Sequence, residues 1–336
     1  MTKNIVLAIV FLIVTVLIIQ REWIKYGWQQ ARGQMKIVLN AQPLEVFLTN
    51  EDFPDSLKKK LILIKKVKSF AEQNLKFKES DNYHKLYWQE QKELMWVVTA
   101  AYPYRMENYC WTYPFLGKLS YKGFFIEKEA EKEAKRLKSL GFDVRIRNAA
   151  AWSTLGWLDD PVLSGFLDND EDHLIELILH ELTHAEVFIP DSTDFNENFA
   201  SFVGQEATKL FLSQNYSVDR LNAYQKSLAN REALNNFFYS KIAEFSYVYS
   251  NFGGLSKAEK EQRKYQLFDS LKHNLRKFYA SDTHYIEKWT ENNQLNNAHL
   301  LAFKRYSGQQ EALKIEFQNK FDQDLIEMIN FYKINL

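Results

Sequence analysis

Apolar residues recur at helical spacing along most of this chain and alternate at strand spacing only in its first half. Between Leu57 and Leu75, the residues Leu61, Ile62, Ile64 and Val67 sit among Lys58, Lys59, Lys60, Lys65 and Lys66. That arrangement predicts an amphipathic helix with a solvated basic face. A second helix is predicted over 128–140, closed by Gly141 just past its C-terminus. Phe142, Val144 and Ile146 then alternate with Asp143, Arg145 and Arg147, the signature of a half-buried strand. Further strands are predicted over 94–100, 119–126 and 149–155. Asn169 or Asp170 is a suitable N-cap for an apolar helix that must stop before Pro190, and another helix opens near Asn196. A long helix follows over 220–251, ended by Gly253 and Gly254. Ser256 to Glu259 has the form of a capping box, and a last amphipathic helix covers 309–332. The predicted fold is α+β and mostly helical, with a small sheet ahead of the helix at 171 and a helical C-terminal part. With no internal repeat or low-complexity linker, residues 27–336 read as one unit.

The segment from Ile5 to Ile19 is apolar apart from Thr15 and is followed by Gln20, Arg21 and Glu22. It is slightly short of the ~20 residues of a membrane span, with Trp23 and Tyr26 suited to the interface. No small-residue cleavage site follows, which favours an uncleaved transmembrane helix within residues 1–26 over a cleaved signal. Arg21, Lys25, Arg32 and Lys36 against Lys3 and the terminal amine would keep the remainder in the cytoplasm by charge alone. Long domains, however, cross with limited regard to that rule.

Lysine plus arginine equals aspartate plus glutamate at 43 each, so no global basic field points to nucleic acid. A hydrophobic fraction of 46% in 336 residues is enough for a sizeable core. Cys110 is the single cysteine, so no internal disulfide can form. The oligomeric state is not legible in the sequence.

Candidate chemistry is concentrated in His180-Glu181-Leu182-Thr183-His184, a complete H-E-x-x-H pattern. Four residues apart on a helix, His180 and His184 share a face and can offer imidazole nitrogens to one metal ion. Glu181 projects beside that ion and is placed to act as general base. Two surface histidines on an ordinary helix are the bland alternative, yet the surrounding Leu174, Ile175, Ile178 and Leu179 make this a buried helix. Charged groups there need compensation, which a metal ion provides. A catalytic zinc takes three protein ligands and keeps one open position. Glu197, early in the next helix, is the preferred third ligand. Asp191 and Asp194 are nearer rivals, but Asp191-Ser192-Thr193-Asp194 has the look of turn and cap chemistry. His173 lies about two turns before His180, too far to share the ion.

The motif and its surroundings resemble the predicted bacterial zinc aminopeptidases of the gluzincin type. The stretches that carry the likeness are Leu119 to Phe125, Ser153 to Leu163, His180 to His184 and Asn196 to Gly204. Fainter ones are Gln30 to Gln34, Leu295 to Ala298, and Tyr306. The resemblance implies a zincin-like metallopeptidase holding one Zn2+, with His180, His184 and Glu197 as ligands, and an aminopeptidase acting on peptides. A zinc endopeptidase, and an inactive peptide-binding relative of the same fold, are the alternatives. Many such proteins are exported lipoproteins, which places the catalytic domain on the extracytoplasmic side of the membrane. This chain departs from the pattern in having no cysteine before Cys110, and Thr112 and Lys118 stand where a cysteine pair is common.

Tyr306 is the first candidate for stabilising a tetrahedral oxyanion, with ordinary helix packing as the alternative. Asn296 and Asn297 are candidates for holding the peptide backbone or amine. Ser153, Thr154, Leu155 and Gly156 are candidates for an edge strand that pairs with an extended substrate, or for a turn.

Overall fold

The computed structural model describes residues 21–89, 93–113, 117–148, 159–278 and 295–334, without the side chains of 305–307. The described chain is mostly helical, with short strands. In order these are α1 (Arg21–Asn40), β1 (Gln42–Pro43), α2 (Leu44–Thr49), α3 (Asp55–Asn74), β2 (Lys85–Tyr87), β3 (Trp96–Ala101), β4 (Trp111–Tyr113), β5 (Gly117–Leu119), β6 (Lys122–Phe124), α4 (Glu127–Ser139), β7 (Asp143–Asn148) and β8 (Val162–Leu163). After a 3-10 turn come α5 (Glu171–Glu186), α6 (Thr193–Asn215), α7 (Val218–Ser250), α8 (Lys257–Phe278), α9 (Asn297–Ser307), α10 (Gln310–Asn319) and α11 (Leu325–Ile334).

Two small sheets precede α5. In one, β2 is central, antiparallel to β1 and parallel to β8, with Leu86 opposite Val162. In the other, β3 lies between β6 and β7, antiparallel to both. β3 is buried from Val97 to Ala101, as suits a central strand covered by α4 on one face. Ala130, Ala134 and Leu137 of α4 meet Val98, Ala100 and Val144 in that core. The helix stops at the expected place because Gly141 adopts φ +88, a left-handed conformation that suits glycine. The β4–β5 hairpin pairs Trp111 with Leu119, so the strand expected over 119–126 is divided between two sheets. The strand expected over 149–155 falls outside the described residues.

The main core joins α3, β2, β8, α5 and α6, with Leu61, Ile64, Leu86, Val162, Ile178, Leu179, Phe199 and Phe211 all at or below 1% exposure. A second cluster lies between α7, α8 and α9, around Phe245, Leu271 and Leu300. Both caps behave as their sequences suggest. Asp170 accepts from the His173 backbone at 2.9 Å, and Ser256 and Glu259 exchange hydrogen bonds at 3.3 and 2.8 Å. The helix expected over 309–332 is instead two, because Asp322 and Gln323 take positive φ values of 51° and 64°. Gln323 N–H caps back onto the Phe317 carbonyl, and Asp324 opens α11 by accepting from Ile326 and Glu327. The break returns Met328 and Ile329 to the main core.

The N-terminal expectation is corrected. Among the described residues no helix is long and apolar enough to cross a membrane. The apolar run Ile5 to Ile19 lies outside them. Trp23 and Tyr26, expected at a membrane interface, pack on protein: both rings contact Tyr113, and Tyr26 also contacts Phe124. Tyr26 and Gln30 donate to the Gly123 carbonyl at 2.9 and 3.1 Å, so α1 docks on the β6 edge. A membrane anchor and an extracytoplasmic catalytic domain are therefore not carried further.

Candidate metal centre

Helices α5 and α6 run side by side, joined by the short loop through Pro190. The apolar face of α5 (Leu174, Ile175, Ile178, Leu179 and Leu182) fixes its rotation in the core. His180 and His184 consequently share the remaining face, one turn apart, with Glu181 beside them. On α6, Glu197, Ser201 and Gly204 form a stripe at i, i+4 and i+7 facing α5. Gly204 permits the close approach: a Cβ there would lie 3.2–3.3 Å from the Glu176 carbonyl and from His180.

Three ligand atoms converge where the helices meet. His180 Nε2 is 3.1 Å from His184 Nε2, and Glu197 Oε2 is 3.6 and 3.8 Å from those nitrogens. Tetrahedral zinc with ligand bonds of 2.0–2.1 Å has ligand-to-ligand separations of about 3.3–3.4 Å, so these residues fit one such ion with sub-ångström adjustment. Among the described residues this is the one cluster of three or more His, Cys, Asp or Glu ligands that close together. The side chains are 15%, 8% and 17% exposed in the order His180, His184, Glu197, so the centre is mostly buried yet reachable.

The electrostatics suit metal chemistry. Burial pushes His184 down to about 4, helped by the charge of His180 and opposed by Glu197, so it is neutral and able to ligate at neutral pH. Burial also works to lower His180, but its hydrogen bond to Glu197 and the charges of Glu181, Glu197 and Glu176 outweigh this and raise it. Glu181 is pushed up to about 7, chiefly by burial, with His180 pulling down and Glu197 and Asp160 pushing up. A carboxyl poised there is matched to proton transfer near neutrality.

Several residues around the ligands were not singled out from the sequence. Ser201 Oγ lies 3.4 Å from His180 Nδ1 and orients the ring from behind. Glu176, one turn before His180, is held by the two terminal Arg231 nitrogens at 2.9 and 2.6 Å and by the Tyr224 hydroxyl at 2.7 Å, which ties α5 to α7. Asn196 pins the inter-helix loop by bonding both the N–H and the carbonyl of Ile189. The sequence signals are membership of the family-like stretch Asn196 to Gly204 for Asn196, Ser201 and Gly204 and, for Ser201 and Gly204, spacing that repeats the helical face of Glu197.

The other candidates fall as follows. Asp191, a rival third ligand, accepts from Lys118 N–H at 3.1 Å and so serves the hairpin. Asp194 sits in the first turn of α6, outside the converging cluster. Asn296 caps α9, accepting from Ala298 and donating to the Val144 carbonyl. Asn297 is fully buried: its side-chain nitrogen donates to Tyr102 and Pro103 and its oxygen accepts from Tyr249. Tyr306 lies in α9, its side chain outside the description, and Ser153, Thr154, Leu155 and Gly156 are outside the described residues.

A family model described as "putative aminopeptidase" matches residues 25–334. The chain belongs to that family. The match spans nearly the whole chain and supports a peptidase. No curated protein and no solved structure matches this aminopeptidase-family chain.

Proposed function

We propose that this member of the aminopeptidase family is a zinc-dependent peptidase of zincin-like, gluzincin type that removes residues from peptide N-termini. The convergence of His180 Nε2, His184 Nε2 and Glu197 Oε2 at tetrahedral spacing is the observation that carries it. His180, His184 and Glu197 would hold the ion. A bound zinc supplies Lewis acidity, which makes water nucleophilic near neutral pH and polarises a scissile carbonyl.

The chain's own residues do the rest. Glu181, raised towards neutrality, accepts the proton of the attacking water and delivers it to the departing amine. Ser201 holds the His180 ring in register, and the Glu176–Arg231 pair keeps α5 from shifting against α7. Tyr306 remains the proposed oxyanion donor, from its place in the family-like stretch after α9 begins.

The test is digestion of a mixed peptide library by the purified protein, read by mass spectrometry with and without a chelator. Stepwise loss of single N-terminal residues, abolished by chelation and restored by zinc, is expected. Internal cleavage would replace the aminopeptidase reading by an endopeptidase one, and chelator-insensitive cleavage would remove zinc from the account.

A further inference from the structure

Helix α1 carries two seams, and the described residues cover only one of them. Trp23, Tyr26, Gln30, Gly33 and Ile37 recur in steps of three and four along the docked side. The Trp23 and Tyr26 rings meet Tyr113, Gln30 donates to the Gly123 carbonyl, a Cβ on Gly33 would run into the Phe125 ring, and Ile37 is buried in the main core. Ile24, Trp28, Ala31, Met35 and Val38 recur in the same steps, joined by Leu39. At about 100° per residue, this second seam lies about 160° round the helix from the first. Trp28 and Leu39 are each 72% exposed, Ile24 48% and Met35 44%, and a Cβ on Gly27 would meet nothing within 4 Å. None of those four large side chains joins a core cluster of the described residues. Together they leave roughly 500 Å² of contiguous apolar surface open, a size that marks interaction sites.

Steps of four and three are those of the a and d positions of a heptad, by which one helix packs along another. Two such seams would cover about 1,000 Å² in all, the threshold for a specific interface. Because the docked and free seams face opposite ways, the body of a second copy would lie on the far side of its own α1. Charge sets the direction. Lys25 and Arg32 line one edge of the free seam, and Gly27 and Gln34 line the other. Parallel helices set the basic edge of one copy against the Gly27–Gln34 edge of its partner, whereas antiparallel helices would set two basic edges together. The chain's own apolar run cannot lie back along the seam as a helix. Gln20 alone separates its end at Ile19 from α1, and a reversal between antiparallel helices takes about two to five residues. We infer that the free seam of α1 is a dimer interface, covered by the α1 of a second copy of this chain in parallel register. The inference stands apart from the peptidase reading.

Sedimentation velocity of the full chain across a concentration series tests it, with Trp28→Glu and Met35→Glu as variants and circular dichroism to check their fold. The unmodified protein should reach twice the mass of one chain. Trp28→Glu should raise the dissociation constant by at least about 30-fold, the effect of losing a central tryptophan from an interface. In a Cys110→Ser background, Ile24→Cys and Ala31→Cys should each form an intermolecular disulfide on oxidation, because parallel register brings each position to its own copy. Glu22→Cys, off the seam, should not. A monomeric unmodified protein would overturn the interface, and so would a dimer indifferent to both glutamate variants. Failure of Ile24→Cys to cross-link would overturn the parallel register. A monomer that instead co-sediments with phosphatidylglycerol vesicles, and loses this in Trp28→Glu, would assign the seam to a lipid surface and not to a second copy.

Discussion

Two of the polar clusters buried among the described residues are built in opposite ways. Around the start of α9, Asp143 receives the Lys264 ammonium at 2.6 and 2.8 Å and the Asn297 N–H at 2.9 Å, while Asn297 spends its side chain on Tyr102, Pro103 and Tyr249. Asp143, Lys264 and Asn297 there each face complementary groups, and the cluster ties β7 to α8 and α9. At the α5–α6 junction, two imidazole nitrogens and a carboxylate oxygen instead turn their lone pairs on one point. Both clusters carry histidine, carboxylate or amide groups of the kind that suggest a site. Complementarity within the cluster, not composition, separates a structural lock from a centre that binds something.

Substitutions can break that contrast at graded cost. Glu181→Gln should keep zinc and lose about 10³-fold in kcat, the usual range for removing a general base; retained activity would sink the role assigned to Glu181. Lys264→Ala should leave zinc stoichiometry and kcat intact but cost about 2–3 kcal/mol in urea unfolding, since Asp143 then loses its charged partner. A change in zinc affinity instead would mean the two clusters are coupled. Ser201→Ala should weaken zinc by about 10-fold, the low end for an outer-shell partner and in keeping with a 3.4 Å contact.

The closed cluster also carries a pH signature. Burial, with the charge of Arg145, pushes His299 down to about 3, and its Nδ1 lies 2.9 Å from Asn296 Oδ1. Unfolded, that histidine titrates near the ordinary value of 6.5. Between these values the unfolded chain binds more protons, so the stabilisation is fully present above about pH 6.5 and lost as pH falls towards 3. His299→Gln should flatten the fall of the zinc-free unfolding midpoint between about pH 7 and pH 5; an unchanged slope would assign the acid sensitivity elsewhere.

Much of the centre is legible in the sequence because its parts are local. The H-E-x-x-H spacing needs only one helix, Asp170 caps it as expected, and Glu197 follows one loop later. The family-like stretch Asn196 to Gly204 also contained Ser201 and Gly204, whose roles emerge only when α6 is laid against α5. What escaped depends on contacts between distant segments. Nothing near Asn297 in sequence announces its bonds to Tyr249 and Asp143, which only the fold brings together. Tyr83 and Asp160 meet only through the β2–β8 pairing, and strands this short have almost no periodic signal. The break at Asp322 and Gln323 is likewise set by tertiary return of α11 to the core, against a continuous helical pattern.

Zinc titration calorimetry with metal analysis, on the unmodified protein and on His180→Ala, His184→Ala and Glu197→Ala, tests the central claim most directly. The account predicts one zinc per chain in the unmodified protein and a loss of affinity of at least about 100-fold in each variant, with folding otherwise retained. A protein that takes up no zinc, or variants that bind it as tightly as the parent, would contradict it.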